Sequence, residues 1–119
     1  SGLAAARKLL EQSPPPTAIF ASNDDMAVAT VALAHRMGLQ VPDDLTVCGF
    51  DDTAIATTTW PELTTIRQPV AAMASEAVRL LDRDIRGRNR SPRVDHPVMH
   101  KRLHFALIKR HSHAKPPDR

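Results

Sequence analysis

An α/β fold with a parallel sheet flanked by helices is the fold class this sequence predicts, and three observations carry the prediction. Short apolar runs, "TAIFA" (17–21), "LTVCGF" (45–50) and "LTTIRQ" (63–68), alternate with segments of helical period. The links between them are short, and strand–helix–strand order with short links makes neighbouring strands parallel. Aromatic residues are only 3% of the chain, so the core filling such a sheet has to be aliphatic. At 119 residues the chain can bury one modest core.

The elements follow in order. "LAAARKLLEQ" joins strong helix formers to an apolar face of Leu3, Ala6, Leu9 and Leu10. "SPPP" (13–16) ends it, because proline lacks an N–H and constrains the residue before it. After the strand at 17–21, "SNDDMAVATVALAHRMG" reads as a helix capped by Asn23 or Asp24. Asp24 and Asp25 then complement the dipole of its first turn. Its expected apolar face is Met26, Ala29, Ala32, Leu33 and Met37, and Gly38 is its expected terminator. "VPDD" turns into the strand at 45–50, residues 51–61 are loop and weak helix, and a third strand covers 63–68. "PVAAMASEAVRLLDRDIRG" is a helix with Pro69 near its start and Gly87 past its end. Its apolar face is Val70, Met73, Ala77, Leu80 and Leu81. "LHFALI" (103–108) is the last strand, and residues 114–119 are a frayed tail.

Composition narrows the function. Cys48 is the single cysteine, so no intramolecular disulfide can form, and its place in an apolar strand reads as a small buried hydrophobe. No apolar run is long enough to cross a bilayer. The opening lacks an initiator Met and reads as mid-chain helix, as expected of a piece of a longer protein. The net charge is +3, with the basic excess in 83–119. That stretch has no interleaved aromatics to stack on bases and reads as solvated, so no sequence-specific DNA binding is expected of it. His96, His100 and His104 recur every four residues, yet Pro97 and the strand behind it argue against a helix, and no metal site is expected. Nucleophile elbow, phosphate loop and paired catalytic carboxylates are all missing, so neither an enzyme nor a cofactor is expected.

Four motifs in register carry a resemblance. "PTAIFASNDDMAVA", "MGLQVPDDLTVCGFDDT", "WPELTTIRQP" and the final "FALIKRHS" together resemble the lac repressor family of bacterial transcription regulators, across about residues 2–113. The segment "HPVMHKR" (96–102) departs from it, being longer and more basic. The resemblance implies the C-terminal part of a core shaped like a periplasmic sugar-binding protein, over residues 1–113. The helix at 69–87 would belong to the other subdomain. A DNA-binding headpiece would lie outside this chain, and the protein would be cytoplasmic and homodimeric, without contact to a membrane. It would answer to a small effector, a sugar or nucleoside. A periplasmic sugar-binding protein of the same core, serving transport or chemoreception, is the alternative.

The same resemblance implies the site. Asp51 follows the strand "TVCGF", at the carboxyl edge where ligands of open α/β sheets bind, and its two acceptor oxygens suit adjacent hydroxyls. The competing role for Asp51 is a turn cap, and Asp52 is expected to cap the following segment. Asn23 sits at the equivalent edge of the preceding strand, as effector ligand or helix cap. Gln68 ends the third strand, where a hydrogen-bonding, hinge or structural role is open. Met26, Thr30, Leu33 and Trp60 would face a symmetry mate, Trp60 having packing under the loop or stacking on a sugar ring as its other options.

Overall fold

A computed structural model describes residues 2–90 and 100–117. The described strands form one four-stranded sheet in the order β1 (Ala18–Phe20), β2 (Thr46–Phe50), β3 (Thr64–Arg67), β4 (Ala106–Ile108). The first three are parallel, as the strand–helix–strand order predicts, and β4 joins the sheet antiparallel to β3. The register explains it: Arg67, the last residue of β3, pairs with Ala106, the first of β4. A segment that leaves a sheet and returns at the same edge has to run back down it.

Helices α1 (Gly2–Leu10), α2 (Asp24–Arg36) and α3 (Ile55–Thr58) accompany this sheet. α1 buries Ala6 and Leu10, leaving Leu3 and Leu9 partly exposed. α2 packs against α1, β2 and α3, and this displaces its buried stripe. Asp24, Ala27, Thr30, Val31, Leu33 and Ala34 are buried, whereas Ala32 and Met37 of the expected face are exposed. Its end follows expectation. Gly38 has φ +77°, its N–H donates to His35 O at 3.0 Å and Leu39 N–H to Ala34 O at 2.9 Å, the paired bonds that close a helix on a left-handed residue.

On the helix side of the sheet Ile19, Val47, Gly49 and Thr65 are buried, and Leu33, Leu45 and Leu63 complete an aliphatic core. Each such leucine contributes roughly 1.5–3 kcal/mol by leaving water. The other side carries Phe20, Cys48, Phe50 and Ile66, with Phe20 and Phe50 edge to face at 6.4 Å. Burial pushes the Cys48 thiol up, in keeping with an inert side chain.

The residues after β4 are tied down. Ser112 is fully buried; its Oγ donates to Val47 O at 2.5 Å and accepts from Thr64 N–H at 2.8 Å. Its carbonyl accepts from Val47 N–H at 2.9 Å. Ser112 thus bridges β2 and β3. Ala114, expected to be frayed, exchanges hydrogen bonds with Thr46 Oγ1 at 3.0 and 3.2 Å.

The chain divides into two compact units, Ser1–Arg67 with Ala106–Arg119, and Gln68–Phe105. The second is dominated by α4 (Val70–Arg90), which runs through Gly87 instead of stopping before it. The ion pair Asp84–Arg88 at 3.0 Å brackets the glycine at i,i+4 spacing, following Asp82–Arg86 at 2.9 Å, and supports the helix across it. Among the described residues none of α4 is buried, so its apolar face from Val70 to Ile85 lies open. Glu76 pairs with Lys101 at 2.8 Å.

Candidate functional site

The carboxyl ends of the parallel strands gather the candidate residues of the first unit. β2 ends at Phe50, and the next two residues turn sharply, with φ +104° at Asp51 and +54° at Asp52. Non-glycine residues adopt this left-handed backbone only where their surroundings hold it. Several bonds do so. Asp51 N–H donates to Ile66 O at 2.9 Å, which ties the turn to β3. Asp51 itself is exposed.

Asp52 is not a cap, which corrects the expectation; the cap position of α3 is Ala54, with no side-chain cap bond. The Asp52 carboxylate instead joins two arginines. Arg110 Nη2 donates to one oxygen at 2.6 Å, and Arg67 Nε and Nη2 donate to the other, each at 2.6 Å. Burial alone would raise its pKa; the hydrogen bonds and charges of Arg110 and Arg67 outweigh that and hold the carboxyl below the usual range. Arg110 Nη1 also donates to Leu63 O at 2.8 Å, so the residue two before Ser112 is locked to the turn.

Asn23 caps α2, its Oδ1 accepting from Met26 N–H at 2.9 Å. The cap uses the amide oxygen, and the Nδ2 protons are the donors that Asn23 has for a ligand. Gln68 opens the second unit directly after β3, and its carbonyl accepts from Val70 N–H at 2.9 Å.

Of the residues expected to meet a symmetry mate, Thr30 and Leu33 are 3% and 1% exposed. They are spent inside the chain's own core and offer no surface, a correction with the same cause as the shifted α2 face. Met26 is partly buried against that core, and Trp60 is 78% exposed, its ring 6.5 Å from His111. His96 lies outside the described residues, while His100 and His104 are exposed and outside any helix. Among the described residues no group of three His, Cys, Asp or Glu side chains could hold a metal ion, and no helix is long and apolar enough to cross a membrane.

Sequence reasoning missed the residue at the centre of this edge. Asp24 is fully buried and gathers Thr53 N–H at 2.7 Å, Thr53 Oγ1 at 3.1 Å and Thr65 Oγ1 at 2.6 Å. A signal was present: Asp24 heads the stripe Ala27, Val31, Ala34 at helical spacing, so its carboxylate had to share the buried face.

The described sheet thus gathers acidic and amide side chains at the carboxyl edge of an α/β core. Residues 1–112 match the model of the periplasmic binding protein-like domain. The HTH-type transcriptional repressor PurR of Salmonella arizonae is 38% identical over the full length of this chain and 33% of its own. A solved complex of the transcriptional regulator CelR with cellobiose superposes with a TM-score of 0.80 at 36% identity, over 94% of this chain and 32% of that one. A LacI family regulator from Bifidobacterium animalis gives 0.82 at 29% identity, over 99% and 41%. The chain belongs to the periplasmic binding protein-like domain family, and it is similar along its length to proteins named as transcriptional regulators of the LacI family. It spans about a quarter to a third of the length of the curated relatives it matches.

Proposed function

We propose that these residues form part of the effector-binding core of a ligand-responsive transcriptional regulator, with a small carbohydrate or nucleoside as effector. The observation that carries the reading is Asp51, exposed at the carboxyl edge of β2 on a backbone that its neighbours hold in place. A carboxylate at that position carries two acceptor oxygens suited to the adjacent hydroxyls of a sugar. Asn23 Nδ2 would donate from the head of α2, and Gln68 would contribute from the end of the crossover. The match to a regulator solved with cellobiose supports a sugar, and the match to relatives named as repressors favours this reading over a transport protein.

Effector binding would act by population shift, favouring one arrangement of the core and so altering how paired DNA-binding segments meet their half-sites. Those segments lie outside these residues. The assembly would be a cytoplasmic homodimer, with Trp60 and the outer face of α2 around Met26 at its interface. The module binds and does not catalyse.

The test is calorimetric titration of the whole gene product with cellobiose and a panel of mono- and disaccharides and nucleosides, beside Asp51→Ala. Loss of a hydrogen bond to a charged group removes roughly 1.5–3 kcal/mol, so the mutant should lose about one to two decades of affinity. Its melting midpoint should stay within a few degrees. Unchanged affinity with a fallen midpoint would make Asp51 a turn residue and refute the assignment.

A further inference from the structure

We propose that Asp24 is the positioning residue of the effector turn: from inside α2 it holds Thr53, and through Thr53 the backbone of Asp51 and Asp52. Its consequence for ligand affinity rests on the reading of Asp51 given above; its consequence for the turn does not.

The turn has an anchor on each side of the strained pair. Before it, Asp51 N–H is bonded to Ile66 O; after it, Thr53 N–H is bonded to Asp24 Oδ2 at 2.7 Å. The second oxygen of Asp24 accepts from Thr65 Oγ1 at 2.6 Å. Thr65 lies on β3 opposite Gly49 of β2, so one carboxylate links the head of α2, the β2–α3 turn and the middle of β3. A fully buried carboxylate in such a place needs compensation. It has it from these donors, and from the first turn of α2, where the helix dipole favours an anion.

Gly49 supplies independent support. A Cβ at that position would collide with Asp24 Oδ1 and stand 2.8 Å from Leu63 Cδ2. The missing side chain in the middle of β2 is therefore the space the carboxylate occupies. Asn23 and Asp24 are consecutive, so the residue that sets the turn also neighbours the other candidate ligand on α2. Asp24 would thereby keep Asn23 and Asp51 in register with one another, touching neither the effector nor the solvent.

The experiment measures amide hydrogen exchange and HN–Hα couplings by NMR on the whole gene product, for the wild type, Asp24→Asn, Thr65→Val and Gly49→Ala. Asparagine keeps the shape but has one acceptor oxygen where the carboxylate has two. In Asp24→Asn the Thr53 amide should exchange about tenfold faster or more, with altered couplings at Asp51 and Asp52. Core amides such as Val47 should keep their protection. Gly49→Ala should reproduce this pattern by displacing the carboxylate, and Thr65→Val, which leaves the Thr53 bonds, should show it more weakly. A purely structural role predicts that Thr53 and Val47 lose protection together. That result, or an unchanged Thr53 in Asp24→Asn, overturns the proposal; if Asp24→Asn does not fold, Thr65→Val decides by the same comparison. In the whole gene product, cellobiose affinity should fall about tenfold in Asp24→Asn. Failure of the wild type to bind any probe would sink the sugar reading and leave the turn result standing. Equal cellobiose affinity in wild type and mutant, with an altered turn, would overturn the positioning role itself.

Discussion

Replacing Asp52 by asparagine removes a charge from the β2–α3 turn while keeping its size. The two arginines that Asp52 joins do not weigh equally. Arg67 is 58% exposed, so water and salt screen its pair, which contributes at most about 1 kcal/mol. Arg110 is 12% exposed and faces a carboxylate that is 6% exposed, where a hydrogen bond to a charged group is worth roughly 1.5–3 kcal/mol. Asparagine retains one acceptor oxygen, so Arg110 keeps a neutral partner and the full cost of an orphaned buried charge is avoided. The expected loss is about 2–3 kcal/mol, or about 8–12 °C in the melting midpoint at about 4 °C per kcal/mol for a chain of this size. The pH dependence follows from the lowered pKa of Asp52. The folded state favours its charged form, so the stabilisation is complete above the ordinary aspartate range and is lost as pH falls through the lower folded value. The melts of wild type and mutant should therefore keep their separation from neutral pH down to the ordinary aspartate range, about pH 4, and converge only below it. A midpoint difference under about 2 °C at neutral pH, or one that stays constant down to acid pH, would refute this account of the clamp.

Three further outcomes follow from the same geometry. Ser112→Ala strands a buried donor on Thr64 and a buried acceptor on Val47, so stability should fall by about 2–4 kcal/mol in urea denaturation; a loss below about 0.5 kcal/mol would show that Ser112 does not bridge the strands. Gly38→Ala meets nothing within 4 Å at its Cβ but has to adopt φ +77°, so it should lose about 1–2 kcal/mol with an unchanged denaturant slope, through backbone strain alone. Trp60→Ala, at an exposed position, should leave subunit stability within about 0.5 kcal/mol while weakening self-association of the whole gene product in analytical ultracentrifugation; an unchanged dimer constant would remove Trp60 from the interface.

What the sequence determined by itself is what local rules govern. Apolar runs of strand length, the prolines at 14–16, the cap at Asn23 and the glycine at 38 each act on neighbours a few residues away, and they placed β1, α2 and its terminus to within a residue or two. The same local order put Asp51 at a strand's carboxyl edge, as the resemblance in "GFDDT" implied. What only the tertiary structure decided depends on partners far apart in the chain. The buried stripe of α2 shifted because α1 and the sheet both cover that helix, and Thr30 and Leu33 moved from an expected interface into the core. β4 runs antiparallel because it pairs with β3 at the edge where the intervening segment left. Asp52 could be read as a cap while Arg110, 58 residues on, was out of view. Asp24 looked like one more first-turn acid until Thr53 and Thr65 were found on either side of it. Hydrogen bonds of that separation leave no periodic trace in a sequence; they form only when packing brings the strand ends together.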